Sequence, residues 1–243
     1  MFISTTIVIV PGFWESATGV FDKVCKKLRC HYTKVIVAEL RSTGHGSSDR
    51  ITLDDDIAAI RGYIEPLVLA GDEVVVAAHS AGGFIASAAI EGLTTKARLE
   101  TAQSGGVKSF AFICAGVFPR GHTTGPLPFF DIKGEHLHCK DARMSLFNDL
   151  SMGDAKYWNA RVRPQPAANW DAEIRYTGHE EIECYYLVCQ GDQLLPRELQ
   201  LQFAAAAQAK ITECDAGHMV MLSQPQTVYE FILKAAKTVD TIW

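Results

Sequence analysis

The sequence predicts an α/β fold in which an open, mostly parallel sheet carries helices on both faces. Strand-like stretches recur at residues 5–10 (TTIVIV), 34–39, 74–78 (VVVAA), 107–117, 183–188 (ECYYLV) and 211–214. The run at 74–78 is short, unbroken, apolar and partly β-branched, which suits a central strand buried on both sides. Helix-spaced stretches separate them, and regular alternation of strand with helix is the pattern of a parallel layer. The third observation is the stretch EVVVAAHSAGGF at residues 73–84, a strand running into a tight turn and then a helix, with Ser80 at the apex.

The first strand ends in Pro11-Gly12-Phe13-Trp14-Glu15-Ser16, ahead of a helical stretch through about residue 29. A glycine loop at the end of a central strand points backbone N–H groups into the space above the sheet. In an acyl-transfer enzyme this loop supplies one oxyanion-hole donor, the N–H of Phe13, and the N–H of Ala81 supplies the second. Pro-Gly that only terminates the strand is an even alternative at this point. Residues 1–10 are apolar but have no positive segment before them, and they run into VPGFW without a cleavage-like site, so they read as a core strand and not as a signal peptide.

After the strand at 34–39, the loop RSTGHGSSDR (41–50) is turn-rich, and His45 within it reads as a loop-bracing residue. Thr52 is the expected N-cap of a helix whose first turn carries Asp54, Asp55 and Asp56, and acids there favour the positive end of the helix dipole. That helix is expected to stop at Gly71. The next strand leads to Ser80. A serine held in a strained strand-to-helix turn needs very small residues two positions to either side. Ala78 and Gly82 stand there, so the usual G-x-S-x-G pattern appears with alanine for the first glycine.

Beyond the strand at 107–117 the pattern changes. Residues 118–183 hold prolines, aromatics and only short helical runs, at 141–150 and 152–160, and read as a helical cap inserted into a single domain of residues 1–243. His136, His138 and Cys139 lie close together but lack a second ligand group, so a cap turn is preferred to a metal site. Order returns with the strand at 183–188, ending in Cys189-Gln190-Gly191-Asp192. A helix at about 197–209 and a strand at 211–214 lead to Asp215-Ala216-Gly217-His218, and the last helix covers 225–237.

Composition narrows the function classes. Of the 243 residues, 48% are hydrophobic and 21% charged, which excludes a largely disordered chain; the formal net charge of −5, with no long basic run, offers no footprint for nucleic acid or an acidic membrane. The expected partner is a small-molecule substrate, with a homodimer as a candidate assembly. Seven cysteines without C-x-x-C pairs read as reduced thiols, and with no spanning segment and no evident address at Thr241-Ile242-Trp243 the expected location is cytoplasmic.

Ser80, Asp192 and His218 thus occur in the order nucleophile, acid, base, each just after a predicted core strand. In a doubly wound sheet such strand ends share one edge, where distant residues meet. The imidazole would remove the serine proton while the carboxylate fixes its tautomer. Asp215 is a competing acid, but it stands too close to His218 along the chain to face its ring easily. Gly12, Trp14, His79 and Met219, which flank these groups, are the candidate substrate contacts.

Segments VIVPGFWES, AAHSAGGF, FNDLSMGDAKYW, VCQGDQLLP and AGHMVMLSQP, spread over nearly the whole chain, resemble the α/β-hydrolases, especially the small plant methylesterase and hydroxynitrile lyase branch and related fungal hydrolases. The resemblance implies an α/β-hydrolase fold with a Ser-Asp-His triad, a helical cap and no metal or organic cofactor. It departs in the first loop, where family members often carry His-Gly and a second histidine two positions after the glycine. Here Pro11 replaces the first and Glu15 stands near the second. The plant lyases carry threonine at the Gly12 position and lysine at that of Met219. The expected activity is therefore hydrolysis of an ester, lactone or thioester of a small apolar or aromatic substrate. Acyl transfer or lactone-forming cyclisation, a lyase, and a non-catalytic binding module are the alternatives.

Overall fold

The computed structural model describes residues 5–16, 19–32, 34–123, 125–168 and 170–237; residues 1–4 of the predicted first strand and the C-terminal Thr241-Ile242-Trp243 lie outside them. The strands in chain order are β1 (Thr5–Val10), β2 (Val35–Val37), β3 (Glu73–His79), β4 (Gly106–Ile113), β5 (Phe130–Lys133), β6 (His136–Cys139), β7 (Gln165–Pro166), β8 (Glu183–Cys189) and β9 (Lys210–Cys214). Six of them make one parallel sheet in the order β2-β1-β3-β4-β8-β9. β3 lies inside it, bonded to β1 and β4, and Val74–Ala78 are fully buried. This is the burial on both faces that their unbroken apolar run anticipates.

The helices are α1 (Asp22–Leu28), α2 (Leu53–Leu69), α3 (Gly82–Ala89), α4 (Thr95–Glu100), α5 (Ala142–Ser145), α6 (Met152–Asn159), α7 (Arg197–Ala206), α8 (Val220–Ser223) and α9 (Pro225–Lys237). α2 opens on Thr52, whose hydroxyl accepts from Asp55 N while the Asp55 carboxylate accepts from Thr52 N, a reciprocal capping box. It ends two residues before Gly71, whose φ of +91° a side chain rarely tolerates. α7 stops three residues short of the expected 209, and Gln208 then turns through φ +49° to start β9.

Two expectations change. The strand expected at 107–117 ends at Ile113, because Cys114 takes φ +33° and the chain leaves the sheet; Gly116 N then donates to the Ser80 carbonyl, and the Ala115 carbonyl accepts from the Tyr186 hydroxyl. The insertion at 118–183 is only partly helical. β5, β6 and β7 form a separate antiparallel sheet, and the stretch expected as a helix at 141–150 contains only the four residues of α5. The cause is local: FDIK and HLHC alternate with period two around Gly134 at φ +60°, a hairpin signal. That alternation also separates the suspected ligands, since Leu137 and Cys139 are buried on one face while His136 and His138 stand half-buried on the other. Burial pushes the Cys139 thiol up to about 12. All seven cysteines are free.

Candidate active site

Ser80 occupies the turn between β3 and α3 at φ +51°, a left-handed conformation that costs a residue with a side chain on the order of 1–2 kcal/mol. The neighbours hold it there. Ser80 N donates to Ile113 O at 3.3 Å, and its carbonyl accepts from Gly83 N (3.1 Å) and Gly116 N (2.9 Å). A Cβ on Gly82 would lie 2.5 Å from Pro11 O and 2.7 Å from Val10 O, so only glycine lets the start of α3 approach the end of β1. Gly12 is as tightly placed, since a Cβ there would meet Ser80 Cβ at 2.6 Å.

Asp192 follows β8. Its Oδ1 accepts from Leu194 N (2.7 Å) and Leu195 N (2.9 Å), and its Oδ2 meets His218 Nδ1 at 2.7 Å. Both side chains are buried. Such a bond makes Nδ1 the protonated nitrogen and leaves Nε2 to accept. Gln200, fully buried on α7, braces the carboxylate loop through Cys189 and Leu195. Asp215 is exposed and takes a hydrogen bond from Gln224 Nε2 instead. Among the described residues the Ser80 hydroxyl makes no hydrogen bond; it lines a chamber above the sheet. The His218 loop closes against the serine turn through its backbone, for the His218 carbonyl meets His79 Nε2 at 2.9 Å and accepts from Cys114 Sγ at 3.3 Å.

The insertion clamps these loops. Asp149 Oδ2 accepts from Gly217 N (2.7 Å), and Asn148 Nδ2 donates to Gly191 O (2.9 Å), so one dipeptide ties down the turns that carry His218 and Asp192. Nothing in the spacing of residues 118–183 assigns them that task, although FNDL lies in a segment that carries the family resemblance.

The chamber has a volume of about 950 Å³, and Phe13, Ser80 and Ala81 all line it. Its walls are mainly apolar: Phe84, Phe118, Phe129, Trp170, Leu194 and Phe203 among others, with Lys140 and Asp141 the charged residues on it. Of the four expected substrate contacts, Trp14 lines this chamber, its indole packed edge-on against Phe129 and Phe130 and donating to Leu137 O. Met219 lines instead a smaller cavity of about 490 Å³, together with Glu15, Trp158 and Arg161. Gly12 lies beneath Ser80 and lines neither cavity. His79 also departs from the expectation: it is fully buried, lines neither cavity, and engages Glu15 and the His218 backbone with its two ring nitrogens.

His79, Cys114 and His218 bring potential metal-ligating atoms within 4.8 Å of one another. Their chemistry does not suit a cation. Both His79 nitrogens and His218 Nδ1 are committed to hydrogen bonds, and burial pushes the Cys114 thiol up to about 12, away from the thiolate a metal needs.

Comparison with known proteins places this architecture. A sequence model described as the alpha/beta hydrolase family matches residues 7–231. The chain belongs to that family. The enzyme is similar to "Alpha/beta hydrolase nvfD" of Aspergillus novofumigatus, 28% identical over 96% of this chain and 97% of that one. Among solved structures, polyneuridine aldehyde esterase superposes with a TM-score of 0.75 at 22% identity over 96% of this hydrolase and 99% of that chain. Tomato methylketone synthase I, complexed with 2-tridecanone, gives 0.73 at 14% identity over 96% and 98%. At such identities the two superpositions establish the shared fold.

Proposed function

We propose that the hydrolase cleaves an ester, lactone or thioester of an apolar or aromatic acyl group through an acyl-serine intermediate on Ser80. The observation that carries this reading is a strained serine on the wall of an apolar chamber, with a buried Asp192–His218 pair on the loop packed against its turn. His218 Nε2 takes the Ser80 proton as Oγ bonds to the substrate carbonyl carbon, and the oxyanion lies against the N–H groups of Phe13 and Ala81. The same proton passes to the departing alcohol or thiol. Water then adds to the acyl carbon, gives a proton to His218, and the acid leaves as the proton returns to Ser80. A chamber of about 950 Å³ is at the upper end of the range for small-molecule sites, so it has room for a bulky acyl group.

The lyase alternative is disfavoured by Gly12, because a threonine there would place its Cβ against Ser80 Cβ, and by Met219, which offers no cation to a departing cyanide. Capture of the acyl group by a hydroxyl remains the second reading, supported by the scarcity of polar groups on the chamber wall. The free thiols fit a reducing, cytoplasmic setting. Aryl esters, lactones and hydroxyacyl thioesters presented in turn, with products analysed by mass, test the proposal. Free acid is expected, and a cyclic product without free acid would contradict hydrolysis.

A further inference from the structure

Beneath the catalytic residues lies a second pairing of carboxylate and imidazole. Glu15 is buried, and its Oε1 lies 2.5 Å from His79 Nδ1. The opposite ring nitrogen, Nε2, lies 2.9 Å from the carbonyl of His218, and the two imidazoles are 4.7 Å apart between centroids. A carbonyl oxygen only accepts, so Nε2 carries a proton. The other carboxylate oxygen, Oε2, is buried with no hydrogen-bond partner, so the contact with the His79 ring is made through Oε1 alone.

We propose that Glu15 and His79 are positioning residues: a buried carboxylate–imidazolium pair that pins the main chain of His218 and sets a positive charge beside its ring. The inference rests on the triad reading given above. Burial opposes a charged His79, but the Glu15 charge and the hydrogen bonds from Glu15 and the His218 carbonyl outweigh it and raise the ring above its ordinary 6.5. The titratable groups facing the pair are Cys114 after β4, Asp192 after β8 and His218 after β9, with Asp22, Arg161 and Arg163 on the cavity that Glu15 also lines, while Asp149 from the insertion holds the adjoining Gly217. The His218 ring thus stands between the Asp192 carboxylate and the His79 ring. Glu15 contacts the far nitrogen of His79, so the cation is the nearer charge to the base.

Glu15→Gln isolates this effect. The amide can still donate to Nδ1 of a neutral His79 whose Nε2–H continues to reach the His218 carbonyl, so the shape survives and both charges vanish. The rate at which a fluorophosphonate labels Ser80 is then measured against pH in the wild type and the variant. The acid limb is expected to move upward by about one pH unit, with the alkaline plateau retained. A limb that stays in place or moves down would overturn the proposal, and a profile lowered evenly at every pH would show a merely structural role and overturn it too. Wild-type labelling separates the two ideas, because a wild type that does not label defeats the triad reading itself. Should the variant fail to fold, the unmodified protein still decides. Nitrogen-15 NMR of histidine-labelled enzyme at pH 7.5 is expected to show both His79 ring nitrogens protonated, and a singly protonated His79 would refute the pair.

Discussion

Asp192 and Asp215 differ in position where residue type alone leaves their roles open. Both stand within reach of the His218 loop along the chain, but only Asp192 reaches Nδ1, with its second oxygen held by two backbone N–H groups. Asp192→Asn is expected to lower kcat by about ten-thousand-fold through the wrong imidazole tautomer, and Asp215→Asn to stay within about threefold of wild type. Turnover of an aryl ester by the two variants checks this. His79 carries a prediction about stability. Folding raises its pKa above 6.5, so its contribution is complete below that value and is lost as pH rises through the folded value. The difference in urea midpoint between wild type and Glu15→Gln should therefore shrink as pH is raised above 6.5. His179 works in the opposite sense: burial lowers it, and its contribution is lost as pH falls below its ordinary value. The positions of Ser80 and Asp192 were legible because each follows an apolar run that is buried as a core strand, whereas His218 follows β9, which is an edge strand with no buried residue and not the core strand expected there, and was legible from chain order and the family resemblance. Glu15 was not, since a glutamate in a Pro-Gly loop reads as exposed, and its burial depends on His79, 64 residues away.

At the level of the element, the serine turn works because β1, β3 and α3 approach closely. Gly82→Ala would push a methyl group against the Pro11 and Val10 carbonyls, which are backbone and cannot swing aside. A loss of about 1–3 kcal/mol in unfolding free energy is expected, read from denaturant melts, with activity falling as the turn shifts. The Asn148–Asp149 clamp predicts a different signature. Asp149→Ala removes the acceptor for Gly217 N and frees the His218 loop, so kcat should fall by about ten- to a hundred-fold while KM changes little. Steady-state kinetics separate the two effects. Elements with strong local signals, such as α2 with its Thr52 box, were readable from residue order alone. α5 and β7 were not, because runs of four and two residues owe their form to neighbours that the sequence does not place beside them.

Over the whole molecule, the sheet gathers three distant loops at one edge, and residues 118–183 contribute Phe118, Phe129, Phe130 and Trp170 to the chamber that Ser80 also lines. Membership of the family was visible in segments spread along the chain; the size of the chamber was not, since it depends on how residues 118–183 pack against α7. Leu199, on the α7 wall, offers a test of its use. Leu199→Trp should raise KM for a bulky acyl ester by about tenfold and leave an acetyl ester nearly unchanged. Equal effects on both esters would show that the acyl group lies elsewhere. Among the described residues no helix is long and apolar enough to cross a membrane. The central claim is that Ser80 is an activated nucleophile. Fluorophosphonate labelling followed by peptide mass analysis tests it without knowledge of the substrate. The account predicts one label per chain, on Ser80, abolished in Ser80→Ala and strongly slowed in His218→Ala; absence of label on the wild type, or undiminished labelling of Ser80→Ala, would contradict it.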